Sequence, residues 1–209
     1  LNTLNSKTTT DLTLNSSTIT GTAADLITVY AATGSIDGLG NEAITVTDAS
    51  ITVAQANVIS AFTTGVVTAT ISHGAIATLA GLTETGNAYT VTVTDASVTA
   101  SALNTLNAKT TVPITVTSTE INGTFSDVNT VYAAGENGTI LGFGNENSII
   151  AGLLTVAQAN TLAAQTTGVI TAAISDGDMA TLAGLTETGN AYTMTVTDAS
   201  VSASALNTL

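Results

Sequence analysis

Short runs in which threonine alternates with a branched apolar residue recur along the chain: ITVTDAS at 44–50, VTATIS at 67–72, YTVTVTDAS at 89–97, ITVTSTE at 114–120 and YTMTVTDAS at 192–200. Alternation with a period of two predicts strands that bury one face. Val91 and Val93 are therefore expected inside, and Thr90, Thr92 and Thr94 outside. The segments between them, TVAQANVISAF from Thr52, TASALNTLNAK from Thr99 and TVAQANTLAAQ from Thr155, lack strict alternation and predict short helices. A leading Thr or Ser can cap free helix amides, and Leu103 and Leu106, three apart, supply an apolar stripe. A helix of roughly two turns is not stable alone in water, so neighbouring chain must hold it. TTG at 63–65 and 166–168 provides a glycine to end the helix.

The pattern repeats at two scales. TLAGLTETGNAYTVTVTDASVTASALNTLN at 78–107 returns at 181–209 as TLAGLTETGNAYTMTVTDASVSASALNTL, and the text at Leu1 reappears at Leu103 and Leu206, giving periods of 102 and 103 residues. The long repeats are thus 1–102 and 103–205, with 206–209 starting a third. Each contains one longer segment with DLITVYAA or DVNTVYAA as its helix and a glycine-rich loop of variable length before GNE. Self-similarity of this kind predicts an α/β solenoid of about eight stacked coils of roughly 22–30 residues, each a parallel β-strand plus a short helix or turn. Variable loops belong on its outside. The alternative is an all-β parallel β-helix with strands in place of the helices. Because the sequence starts and stops at the same phase, it is expected to continue, as a head-to-tail homopolymer or as neighbouring repeats of a longer chain. Pro113 stands just before ITVT, where a strand start tolerates a missing amide proton.

Two Lys and Arg against 15 Asp and Glu give a net charge of -13, which repels phosphate backbones and anionic lipid surfaces, so no nucleic-acid partner is expected. Hydrophobic residues at 44% against 8% charged allow burial along the whole length, in a core of small side chains because aromatics are only 3%. With no cysteine, disulfides, thiolate metal sites and cysteine catalysis are excluded. The longest apolar stretch, SIIAGLLTVAQA at 148–159, is too short and broken to cross a bilayer, so no membrane insertion is expected. Acidity, abundant threonine and scarce lysine point to an extracellular or cell-surface protein.

Candidate chemistry is sparse. His73, in SHGAI, is replaced by Asp176 in SDGDM one long period later, so the position asks for a polar turn residue rather than a catalytic or metal-binding histidine. A serine triad would need that histidine, and no G-x-S-x-G turn is present, so no enzyme activity is expected. Carboxylates recur as Asp48, Asp95 and Asp198, Glu84 and Glu187, and Glu42 and Glu146; in turns they accept hydrogen bonds from loop amides and keep the surface soluble. No cofactor is expected apart from calcium, for which Asp37, Asp176 and Asp178 are the candidate ligands, although the D-x-D-x-D-G run is absent. In-register Thr45/Thr47, Thr68/Thr70, Thr92/Thr94 and Thr115/Thr117 would form two outward rows resembling an ice-binding face, interrupted in the second period by SIIAGLL and ITAAIS. Sequons at Asn15, Asn122 and Asn137 mark no site by themselves, while glycans on exposed threonines suit a surface protein. Lys7 and Lys109 occupy equivalent positions and are expected over helix ends.

ITGTAADL at 19–26, GLGNEAITVTDAS at 38–50 and DASVTASALNTLN at 95–107 resemble the tandem repeats of giant secreted or cell-surface β-strand-repeat proteins of cyanobacteria and other bacteria. The resemblance covers the whole chain and implies a surface or matrix role without enzyme activity. The expected function is a structural repeat unit of an extracellular filament, sheath or surface layer that self-associates by coil stacking. The alternatives are an adhesin stalk or a carbohydrate- or surface-binding module using the loops near Asn137 to Asn145, and, lesser, ice binding.

Overall fold

A computed structural model describes residues 1–207; residues 208 and 209 of the expected third repeat lie outside the described residues. In chain order the first elements are α1 (Asn2–Asn5), β1 (Leu12–Thr13), β2 (Thr18–Gly21), α2 (Ala23–Ala31), β3 (Ile36–Asp37) and β4 (Ala43–Val46). Then come α3 (Val53–Ser60), β5 (Val67–Thr70), α4 (Ile76–Leu79), β6 (Ala88–Thr90), β7 (Thr92–Val93), β8 (Ser97–Thr99) and α5 (Ala100–Asn107). The later elements are β9 (Ile114–Val116), β10 (Glu120–Thr124), α6 (Phe125–Glu136), β11 (Ile140–Leu141) and β12 (Asn147–Leu154). The last are α7 (Val156–Ala163), β13 (Ile170–Ile174), α8 (Met179–Leu182), β14 (Ala191–Thr193) and α9 (Ala203–Leu206). The fold is α/β with parallel sheets, and helices occupy the segments that the all-β alternative would have made strands. By contact the chain divides into two compact units, residues 1–94 with 105–115, and 95–104 with 116 onward.

In the first unit β2, β4, β5 and β6 form one parallel sheet in that order, with α2, α3 and α4 in the connections. Parallel neighbours need such crossovers, because a tight turn reverses the chain. The register aligns Ile19, Ile44 and Val67 in one buried row and Thr20, Thr45 and Thr68 in the row that faces out. That threonine row ends at Ala88. Val91 and Val93 are buried and Thr90, Thr92 and Thr94 exposed, as alternation predicts. β1 and β3 make a separate parallel pair.

The second unit repeats the arrangement with β8, β10, β12, β13 and β14. Its inward row is Val98, Ile121, Ser148 and Ile170, and its outward row Thr99, Asn122, Ile149, Thr171 and Ala191. The interruption of the threonine rows expected here is present. Gly152, at φ 94°, carries a bulge in β12 that shifts register between Ile149 and Leu153.

Thr52 and Thr155 begin α3 and α7 as expected, whereas α2 and α6, capped by Thr22 and Thr124, start two residues before the expected DLITVYAA and DVNTVYAA helices. Thr22, Thr52, Thr124 and Thr155 accept hydrogen bonds from Asp25, Gln55, Asp127 and Gln158 amides, and Gln55 and Gln158 reach back to complete capping boxes. The inward stripes are Val53, Ala56 and Ile59 in α3, and Val156, Ala159 and Leu162 in α7. Burial of such side chains contributes about 1.5–3 kcal/mol each for the larger ones.

Candidate functional site

The recurring polar residues serve as joints, each tying one strand–helix segment to the next along the chain. At the start of a helix, the first helical amide has no partner within the helix. Ala23 N donates to Asp48 Oδ2 (2.6 Å), Val53 N to His73 Nδ1 (3.3 Å), Val156 N to Asp176 Oδ2 (2.7 Å) and Met179 N to Asp198 Oδ2 (2.9 Å). In each case the acceptor lies 19 to 25 residues further on, in the turn after the following strand. His73 and Asp176 therefore do one job in two copies, which explains why the position accepts both. A carboxylate also meets the positive end of the helix dipole, as a neutral imidazole does not. His73→Asp is expected to raise stability by about 0.5–1 kcal/mol in urea unfolding; no gain, or a loss, would show that the joint is not set by the acceptor's charge.

Asparagines make a second kind of joint. Asn57 Nδ2 donates to Gly81 O (2.7 Å) while its Oδ1 accepts from Thr83 N (3.1 Å), and Asn160 does the same with Gly184 O and Thr186 N at 2.7 and 3.1 Å. Asn87 Oδ1 accepts from Val67 N and Asn190 Oδ1 from Ile170 N, both at 2.8 Å. These side chains stand in for strand and turn partners where the backbones of two repeats do not meet.

The longer segments add a buried node. Glu42, fully buried, accepts from Gly40 N with both oxygens (3.1 and 2.9 Å) and from Tyr30 Oη (2.8 Å), and Tyr30 stacks on Phe62 with ring centroids 5.0 Å apart. Burial opposes ionisation of Glu42, but the Gly40 amide and the Tyr30 hydroxyl outweigh it and hold its carboxyl below the usual range. Burial, reinforced by the Glu42 hydrogen bond and charge, pushes the Tyr30 hydroxyl up. Thr63 Oγ1 donates to Glu42 O (2.6 Å), joining the node to the next repeat.

The second copy is built differently. Ser148 replaces Ile44, and Tyr132 Oη pairs with Ser148 Oγ at 2.8 Å. Glu146 Oε2 accepts from Gly144 N and Asn145 N (2.9 and 3.1 Å), while its Oε1, buried, has no hydrogen-bond partner among the described residues. Burial is the main cause that raises Tyr132, to about 12. These two glutamates differ from the solvated turn residues that the sequence suggests: both are interior. The spacing of Tyr30 to Glu42 and Tyr132 to Glu146 on either side of a glycine-rich loop was the available signal, and alternation carries no trace of it.

The calcium candidates are engaged in joints or apart from them. Asp176 caps α7, and Asp178 caps α8 by accepting from Thr181 N and Oγ1, both at 2.9 Å; these bonds lower its carboxyl below the ordinary range. Asp37 is exposed on β3, in the other unit. Among the described residues no three His, Asp or Glu side chains converge on one point. Lys109 Nζ donates to Thr83 O (2.9 Å) in the preceding repeat, so it too is a joint. No helix among the described residues is long and apolar enough to cross a membrane. Comparison with known protein families, curated proteins and solved structures found no match.

Proposed function

We propose that the repeats are the coils of an α/β solenoid and that the chain is a structural unit of an extracellular filament, sheath or surface layer. The observation that carries this reading is the direction of the joints. Polar side chains that would be candidates for chemistry, Asp48, His73, Asp176, Asp198, Asn57 and Asn160, are spent on the main chain of an adjacent repeat. A structure whose polar groups hold neighbour to neighbour gains rigidity along its length, as solenoids do. The acidic surface keeps such a polymer dispersed until its repeat faces meet. Electron micrographs of the purified chain are expected to show fibres with a regular axial repeat. Dispersed short rods would support the adhesin-stalk reading instead, and compact closed particles would exclude both.

A further inference from the structure

In the first copy of the long repeat the Tyr30–Glu42 node closes on itself: Gly40 N and Tyr30 Oη supply donors to both Glu42 oxygens, and the Phe62 ring stacks on Tyr30. Three positions around the second node are changed. Ser148 stands for Ile44, Phe143 for Leu39 within G-x-G-N-E, and Gln165 for Phe62 ahead of the shared TTG. Ser148 and Gln165 put oxygen where the first copy has hydrocarbon. Tyr132 Oη is paired with the buried Ser148 Oγ (2.8 Å) rather than with the glutamate.

Two oxygens are left over. Glu146 is 1% exposed and its Oε1 has no hydrogen-bond partner among the described residues; the buried Oε1 of Gln165 has none either. A cavity of about 200 Å³ is lined by Tyr132, Gly135, Glu136, Phe143, Gly144 and Gln165. Gln165 belongs to its wall, and the Gly144 amide holds Glu146 Oε2 to that wall at 2.9 Å. Burial raises the Tyr132 hydroxyl and the Glu146 charge raises it further, which sets the carboxylate close to that hydroxyl. Glu136, exposed, adds a second carboxylate to the lining.

A buried carboxylate oxygen needs a donor or a cation to meet it. We propose that Glu146 Oε1 and Gln165 Oε1 are ligands of a calcium ion whose remaining coordination comes from water in this cavity. Calcium binds carboxylates, amide carbonyls and water at about 2.3–2.6 Å, closer than the roughly 2.7–2.9 Å of a hydrogen bond, so a bare ion reaches oxygens that are shut off from solvent. The net charge of -13 favours a cation over a neutral donor. With few carboxylates the affinity falls at the weak end of the calcium range, about 10⁻⁴–10⁻³ M. The first node, satisfied by Tyr30 and Gly40, takes no ion, and Asp37, Asp176 and Asp178 have no part in the second. This site belongs to a single chain and goes beyond the filament reading without depending on it.

The test is thermal unfolding of the whole chain with and without calcium chloride. At about 10 mM calcium the midpoint of the wild type is expected to rise by about 3–6 °C. Gln165→Phe restores the residue of the first copy and leaves the net charge unchanged, so screening of the acidic surface is the same in both proteins and the variant is expected to lose most of the rise. Terbium, a calcium substitute excited through tyrosine, is expected to luminesce beside Tyr132 in the wild type, to be displaced by calcium, and to lose that signal in Gln165→Phe. Should this variant fail to fold, Glu146→Gln, of nearly the same shape, takes its place in both measurements. An equal rise in wild type and variant means that calcium only screens surface carboxylates, and no rise means that water satisfies both oxygens; either result overturns the site. Neither measurement reads fibre formation, so the filament reading stands or falls separately.

Discussion

Replacing Gly168 with alanine should lower the unfolding free energy by about 3 kcal/mol or more, the range of severe overpacking. A Cβ there would fall within contact distance of the Glu146 carbonyl oxygen and carbon, and 2.9 Å from Asn147 N. All three obstacles are main chain, so rotating a side chain relieves nothing. The alternative is to move two adjacent repeats apart, which breaks the Thr166 Oγ1 bond to Glu146 O (3.0 Å) and the strand register beyond it. Gly65 faces the Glu42 carbonyl in the same way, and Gly65→Ala should cost a similar amount. A methyl group added at Gly34 would meet nothing within 4 Å, and the backbone there is not left-handed, so Gly34→Ala should change stability by no more than about 0.5 kcal/mol. Urea titration of the three variants checks the prediction; equal effects at all three positions would refute close approach as the cause.

Glu42→Ala should be the most costly polar substitution in the first unit, at about 3 kcal/mol. It leaves the Gly40 amide and the Tyr30 hydroxyl without their acceptor in a dry site and opens a void beside the Tyr30–Phe62 stack. The corresponding Glu146→Ala should cost less, because Tyr132 is satisfied by Ser148 and one Glu146 oxygen bonds nothing. The pH dependence has a fixed sign. Since the Glu42 carboxyl is lowered in the folded state, its contribution is complete above the ordinary carboxylate range and fades as the pH falls through the folded value. The difference between wild type and Glu42→Ala should therefore shrink in acid. A gap that widened in acid would mean that the carboxyl is raised by burial instead.

The strands and the longer helices were legible in the sequence because alternation and apolar spacing are local properties of consecutive residues. Val91, Val93 and the threonines between them lie as the period of two requires, and the Thr52 and Thr155 capping boxes coincide with the predicted helix starts. The four-residue helices α4 and α8 were not, since one turn has too few positions to show a stripe. The joints escaped for a different reason. Asp48, Asp176 and His73 look like ordinary turn residues, and what they bind lies about 20 residues away through a strand whose register must be known first. The buried glutamates escaped because a carboxylate in a glycine-rich loop is usually solvated; here an aromatic ring and loop amides enclose it.

The reach of the joints bears on how the molecule is made. Ala23 finds Asp48 across 25 residues, and the hydroxyl of Tyr89 finds the Ala56 carbonyl 33 residues back. Each portion thus has its partners within reach soon after it leaves the ribosome, at about 5–20 residues per second. Order can spread along the chain without waiting for distant residues to arrive, so little apolar surface stands unpaired at any moment and the time available for wrong pairing stays short.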